Sequence, residues 1–261
     1  MDRALQSALE WWDAVGVDTP DVPAATKTLR KPAEIKRQQP TKPSPQQTSP
    51  RDTINQRTAP APETSNADNP VPVAAGAKTL SALQTAMENF NAGALSDRAR
   101  QCVFARGNPE ADLMIIGEAP GREDDITGKP FSGPTGQLLD KMMAAIGLTQ
   151  EQFYITHVVN WRPPQSRNPK AEEIELCKPF LNRHIELATP KFILIVGGVS
   201  LNALTGMTSI VKNRGQWQSL NIGGRDIPAL PIYHPTLLLK QPALKKDAWR
   251  DLLDLRQKLS S

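Results

Sequence analysis

The chain has 261 residues, 39% of them hydrophobic and 22% charged, with 31 Lys and Arg against 27 Asp and Glu for a net charge of +4. That length admits one or two domains, and the small positive balance permits contact with a polyanion without demanding it. No run of about 18 consecutive apolar residues occurs, and the first residues lack a basic region followed by an apolar core, so a cytoplasmic protein without a membrane span is expected. Two cysteines, Cys102 and Cys177, imply neither a disulfide framework nor a metal-site spacing.

Residues 1–17 include ALQSALEWWDAVGV, where Leu5, Ala8, Leu9 and Trp12 recur at helical spacing. A short amphipathic helix is expected there, docking on a protein partner or packing back on the fold. Residues 18–78 are rich in Pro, Ala, Gln and Thr and nearly free of large apolar side chains. Such a stretch buries too little surface to offset its ordering entropy, which predicts a disordered linker with polyproline II character.

The pattern changes in residues 79–261. TLSALQTAMENF reads as a helix with Thr79 as its cap, ending before Gly93. ADLMIIG, QFYITHVV, KFILIVGG and IPALPIYHP are short apolar runs rich in β-branched and aromatic residues, as buried parallel strands require. Helical patterns fill GPTGQLLDKMMAAIG, NPKAEEIELCKPFLNRHIELA, VSLNALTG and ALKKDAWRDLLDLRQKL. This alternation predicts a three-layer α/β domain with a mainly parallel sheet and a ligand site at the carboxyl ends of the strands.

The polar clusters fall at those ends. Gly117 to Phe131 follows the first strand, His157 to Asn168 the second, Gly197 to Ser200 the third and His234 to Lys240 the last. A Walker phosphate loop is excluded, because six residues separate Gly121 from Gly128 and Pro130 follows Lys129, removing an amide donor. Glu118, Glu123, Asp124 and Asp125 have the chemistry to bind a divalent cation, to position a water or only to solvate a turn. With Phe131 beyond them they read as the wall and floor of a pocket. His234 before Pro235 is either a packed histidine or a catalytic one. Arg162 and Arg167 in RPPQSRNP suit phosphate contact or a rigid exposed loop, and the amides of Gly197, Gly198 and Ser200 either receive an anion or cap a helix.

Taken together, GEAPGREDDITGKPFSGPTGQLLDKMM, YITHVVNWRPPQSRNPKAEEIELCKPFL, the Gly-Gly before a helix and HPTLLLKQPALKKDAWRDL resemble the bacterial and archaeal uracil-DNA glycosylases of the family 4 type, over about Phe90 to Leu259. The resemblance implies an α/β/α fold around a four-stranded, mainly parallel sheet. It also implies base excision repair chemistry, the hydrolysis of the bond joining uracil or a related deaminated base to deoxyribose in DNA. A base in a duplex must be flipped out to be reached, which calls for a stacking face and polar groups for its edge. By that resemblance Phe131 is the stacking residue and His234 the donor toward the departing base. Glu118 and Asp124 are the carboxylates lining the site, Gly117, Ala119, Pro120 and Gly121 let the backbone approach the base, and Arg167, Ser200 and Lys240 are candidate phosphate contacts.

The chain departs from the family at two places. The four cysteines that hold a [4Fe-4S] cluster in the family correspond here to Phe90, Gly93, Trp161 and Cys177, so no cluster, metal or other cofactor is expected. Where the family places an asparagine that reads the uracil edge, this chain has His157, whose neutral ring offers one donor and one acceptor on opposite sides. The short, histidine-free RPPQSRNP loop lacks the basic insertion of relatives that trap the abasic site covalently. A domain that has lost catalysis and binds DNA or a repair partner is the alternative reading.

Overall fold

A computed structural model describes residues 67–260. The expected helix in residues 1–17 and the expected linker up to residue 66 lie outside them. Residues 70–76, which the sequence assigns to the linker, instead form the first helix, α1 (Pro70–Gly76). Pro70 at its first position has a φ already suited to a helix, and the Asn69 side chain accepts from the Val71 amide at 3.1 Å. Small residues let this helix lie close to its support, burying Ala74 and, just beyond it, Ala77. The folded body therefore starts earlier than the composition suggests.

Helices α2 (Leu80–Glu88) and α3 (Ala94–Arg98) follow. Thr79 caps α2 as expected, its hydroxyl accepting from the Ala82 amide at 3.1 Å. Then come β1 (Arg106–Gly107), β2 (Leu113–Gly117), α4 (Arg122–Thr127), α5 (Pro134–Ala145) and β3 (Phe153–His157). The chain continues through α6 (Ala171–Ala188), β4 (Phe192–Val196), α7 (Gly198–Thr205), α8 (Ile210–Asn213), β5 (Gln218–Ile222), β6 (Arg225–Ile232), α9 (Pro235–Lys240) and α10 (Lys245–Leu259). Among the described residues, no helix is long and apolar enough to cross a membrane.

The sheet order is β1-β3-β2-β4-β6-β5. Its four central strands are parallel and are the four apolar runs read from the sequence. The sheet is wider than expected by two antiparallel edges, β1 on β3 and β5 on β6. β5 escapes a search for apolar runs because only Leu220 of QSLNI is buried. Its signal is the turn: Gly223 (φ 59°) and Gly224 (φ 78°) form a two-residue hairpin loop with both φ positive, a backbone that glycine adopts without penalty.

Successive residues of each central strand feed opposite cores. Met114 and Ile116 of β2, with Ile193 and Ile195 of β4, pack with Leu83 and Met87 of α2, Phe180 and Ile185 of α6 and Leu201 of α7. Leu113 and Ile115, with Leu194 and Val196, pack with Leu139 and Met142 of α5, Leu238 of α9 and Leu252 of α10. Each fully buried Leu or Ile contributes about 1.5–3 kcal/mol. Because both faces are covered, the central strands are apolar at nearly every position, and polar side chains are displaced to the strand ends.

Candidate active site

Parallel pairing sets the site's register. Gly117 at the end of β2 lies opposite His157 at the end of β3, and the chain turns from each strand end into a polar loop. Gly197 and Gly198 follow β4, and His234 follows β6 by two residues. Glu118, Ala119, Pro120, Gly121, Asp124, Phe131, His157, Arg167, His234 and Lys240 line one cavity of about 430 Å³. Gly117 sits beneath it. A Cβ there would come within 2.5 Å of His157 Nδ1 and of the Phe131 ring, so only glycine leaves room for both rings.

The middle of GEAPGREDDITGKPF is not an open loop but a short helix, α4, entered through Gly121. Asp124 makes this turn. Its Oδ2 accepts from the Gly121 amide at 3.1 Å and its Oδ1 from the Ser132 amide at 2.6 Å. Burial raises this carboxyl, but His157 and the two amides outweigh it and hold Asp124 below the ordinary aspartate range. Asp124 is therefore a buried carboxylate that stays ionised at neutral pH.

His157 Nε2 stands 3.4 Å from Asp124 Oδ2, yet neither of its ring nitrogens completes a hydrogen bond, and the side chain is 2% exposed. A buried polar group without a partner costs about 1–3 kcal/mol. Phe131 lies between two imidazoles, its centroid 5.0 Å from that of His157 and 5.7 Å from that of His234. Its φ of 54° is unusual for an aromatic residue, a local strain of the kind that gathers at functional sites.

At His234, burial, followed by the influence of His157, pushes the ring pKa down to about 4. The Thr236 amide donates to Nδ1 at 3.2 Å, and the Thr236 hydroxyl is 3.0 Å from the same nitrogen. An amide can only donate, so Nδ1 carries the lone pair and the neutral ring bears its proton on Nε2. Sequence reasoning missed Thr236, although its place two residues after a helix-capping histidine is a usable signal.

Glu118 lies where an anion was expected to bind. Its Oε1 accepts from the Val199 amide at 3.0 Å, so the amides at the start of α7 receive an internal carboxylate. Burial pushes this carboxyl above the ordinary glutamate value despite the Val199 and Gly198 amides. Ser200 requires correction as a phosphate contact. It is fully buried in α7 and its hydroxyl donates to the Val196 carbonyl at 3.2 Å, because the helix turns that side chain back onto β4. Arg167 is at the rim but engaged by Glu173 through two bonds of 2.8 and 2.6 Å, whereas Lys240 is exposed there. Beyond Arg167 a second cavity of about 600 Å³, lined by Leu95, Leu176 and Pro70, contains no catalytic candidate.

The positions corresponding to cluster ligands do not fit an iron-sulfur group. Phe90 and Trp161 are buried with centroids 6.1 Å apart, and Phe180 meets Phe90 edge-on at 4.8 Å. Cys177 belongs to the same core, where burial pushes its thiol up to about 12. Cluster ligation needs several thiolates. Here two of the positions are aromatic, one is glycine and the remaining thiol is held protonated. Among the described residues, no group of three or more His, Cys, Asp or Glu side chains is placed to hold a metal ion.

Residues 104–253 match the model of the Uracil DNA glycosylase superfamily. The chain is similar to a Type-4 uracil-DNA glycosylase of Saccharolobus solfataricus, 38% identical over 189 residues, covering 66% of this chain and 88% of the relative. It is 36% identical over 146 residues to that of Archaeoglobus fulgidus, covering 54% and 73%. It is 38% identical over 161 residues to that of Sulfurisphaera tokodaii, covering 59% and 73%.

Proposed function

Because this chain belongs to the uracil-DNA glycosylase superfamily, in its family 4 type, we propose that it is a hydrolase that cleaves the N-glycosidic bond of uracil in DNA and leaves an abasic site. The observation that carries this reading is the neutral His234, with Nδ1 occupied by the Thr236 amide and its proton on Nε2. Negative charge develops on the base as the bond breaks, and a preorganised donor from a neutral, desolvated imidazole lowers that barrier more than a solvated one does.

The remaining roles follow from the cavity. A flipped-out base enters beside Phe131 and stacks on its ring. Asp124, ionised and fixed by two amides, favours positive charge on the sugar and orders the attacking water. His157, buried beside Asp124 with no completed hydrogen bond, makes one with the edge of the bound base and so sets which bases are retained. Lys240 at the rim takes a phosphate. Arg167 joins it when phosphate displaces Glu173.

The proposal includes catalysis in the cytoplasm without a cluster, metal or nucleotide cofactor. Phe90 and Trp161, at two of the positions from which thiolates would ligate iron, pack with Phe180 and so support the absence of the cluster. Residues 1–17 are proposed to engage a protein partner.

The test is incubation of the purified chain with single- and double-stranded oligonucleotides carrying uracil, hypoxanthine or xanthine, followed by alkali and gel analysis. Strand cleavage at the uracil position is expected. Absence of abasic sites from all three substrates would overturn the assignment.

A further inference from the structure

The wall of the cavity between Gly117 and Asp124 is short and held at both ends. At the far end, Asp124 accepts from the Gly121 amide at 3.1 Å. At the near end, the Gly117 and Glu118 carbonyls accept from the Val158 and Val159 amides at 2.9 and 3.2 Å, which ties the backbone to the continuation of β3. The Glu118 side chain leaves in another direction, to the first amides of α7 beyond β4. Only Ala119 and Pro120 lie between these attachments, and the ring of Pro120 removes further freedom.

The receiving end is built for this carboxylate. Gly197 has a φ of 101°, and a Cβ there would collide with Glu118 Oε1. Two independent features, a backbone conformation that favours glycine and space that only glycine leaves, thus serve the same contact. The hydrogen bond from the Val199 amide needs only an acceptor oxygen, not a net charge.

We infer that Glu118 is a positioning residue. Its carboxylate, seated on the amino end of α7, holds the Ala119–Gly121 wall against which the base is placed, and it does not activate the attacking water. This goes beyond the resemblance, which groups Glu118 with Asp124 as site carboxylates, and the activity part of its test rests on the proposed glycosylase reaction. Glutamine at position 118 keeps an acceptor oxygen without the charge, alanine removes the acceptor, and alanine at position 197 removes the seat while leaving the carboxylate.

The experiment combines single-turnover excision of uracil with hydrogen exchange at the Val199 amide, in wild type, Glu118→Gln, Glu118→Ala, Gly197→Ala and the double variant Glu118→Ala/Gly197→Ala, each checked for folding by thermal melt. Glu118→Gln is expected to stay within about threefold of wild type, whereas Glu118→Ala and Gly197→Ala each lose about 100-fold, the size expected for displaced reactants. The double variant is expected to be no worse than either single one, because both break one contact. Val199 protection should persist in Glu118→Gln and drop in the alanine variants. A Glu118→Gln enzyme as slow as Glu118→Ala with Val199 still protected would overturn the inference, since the charge itself would then be required. If wild type excises no base, the glycosylase reading fails separately and exchange alone decides: unchanged Val199 protection in Glu118→Ala refutes the positioning contact, and its loss upholds it.

Discussion

His234 and His157 share one residue type and differ in partners. His234 has one nitrogen committed to Thr236 and its proton held on the other, so its chemistry is settled before a substrate arrives. His234→Ala is expected to lower single-turnover uracil excision by about 100- to 1,000-fold, the usual loss when one preorganised donor is removed. His157 is buried with neither nitrogen completing a hydrogen bond, its Nε2 3.4 Å from Asp124 Oδ2. His157→Asn, which returns an amide able to donate and accept toward one pyrimidine edge, is expected to raise the uracil rate by about tenfold, the worth of one hydrogen bond. Initial rates on uracil and hypoxanthine oligonucleotides check this, and a fall in the uracil rate would contradict it. That the histidines, the phenylalanine and the carboxylates gather at the strand ends, where the cavity lies, was legible in the sequence. The fit of Gly117 beneath both rings and the lock supplied by Thr236 were not, because each is a contact in space that no spacing announces.

Element pairs carry the next level of order. α6 meets β3 through His184, whose Nε2 lies 3.0 Å from the Tyr154 hydroxyl while its ring stacks on Phe104 at 4.3 Å. Burial pushes this histidine down to about 3 from its ordinary 6.5. Between those values the unfolded chain binds a proton that the folded chain does not, so this group makes stability fall as the pH drops below about 6.5. At pH 5 the penalty is about 2 kcal/mol. His184→Gln keeps a partner for Tyr154 and cannot titrate. Its stability relative to wild type is therefore expected to improve from pH 7 to pH 5, as followed by denaturant melts at both values. The β5–β6 hairpin gives a simpler case. Gly224 has a φ of 78° and open space around its Cβ position, so Gly224→Ala carries backbone strain alone and is expected to cost about 1–2 kcal/mol. Both edge strands were hidden from a search for apolar runs, one by its length of two residues and the other by its half-exposed face.

At the scale of the whole molecule, an aromatic core joins distant parts of the chain. Phe90, Trp161 and Phe180 arrive from three separate segments and meet edge-on or tilted in the core that includes Cys177. Trp161→Ala is expected to destabilise the fold by about 3–5 kcal/mol, a cavity cost that a thermal melt reads directly, with no change in protein-bound iron. The alternation of strands and helices and the polar segments at the strand ends were readable in the sequence, because periodicity and residue identity are local properties. That Ser200 faces inward, that residues 70–77 belong to the fold and that Glu118 fills the anion seat of α7 came from the folded chain alone. Each of these depends on which distant group reaches a given space first, and that is set by packing in three dimensions. GEAPGREDDITGKPF shows both sides: its residue types announce a site, while its shape comes from Asp124 below, His157 beside it and the amides of α7 beyond.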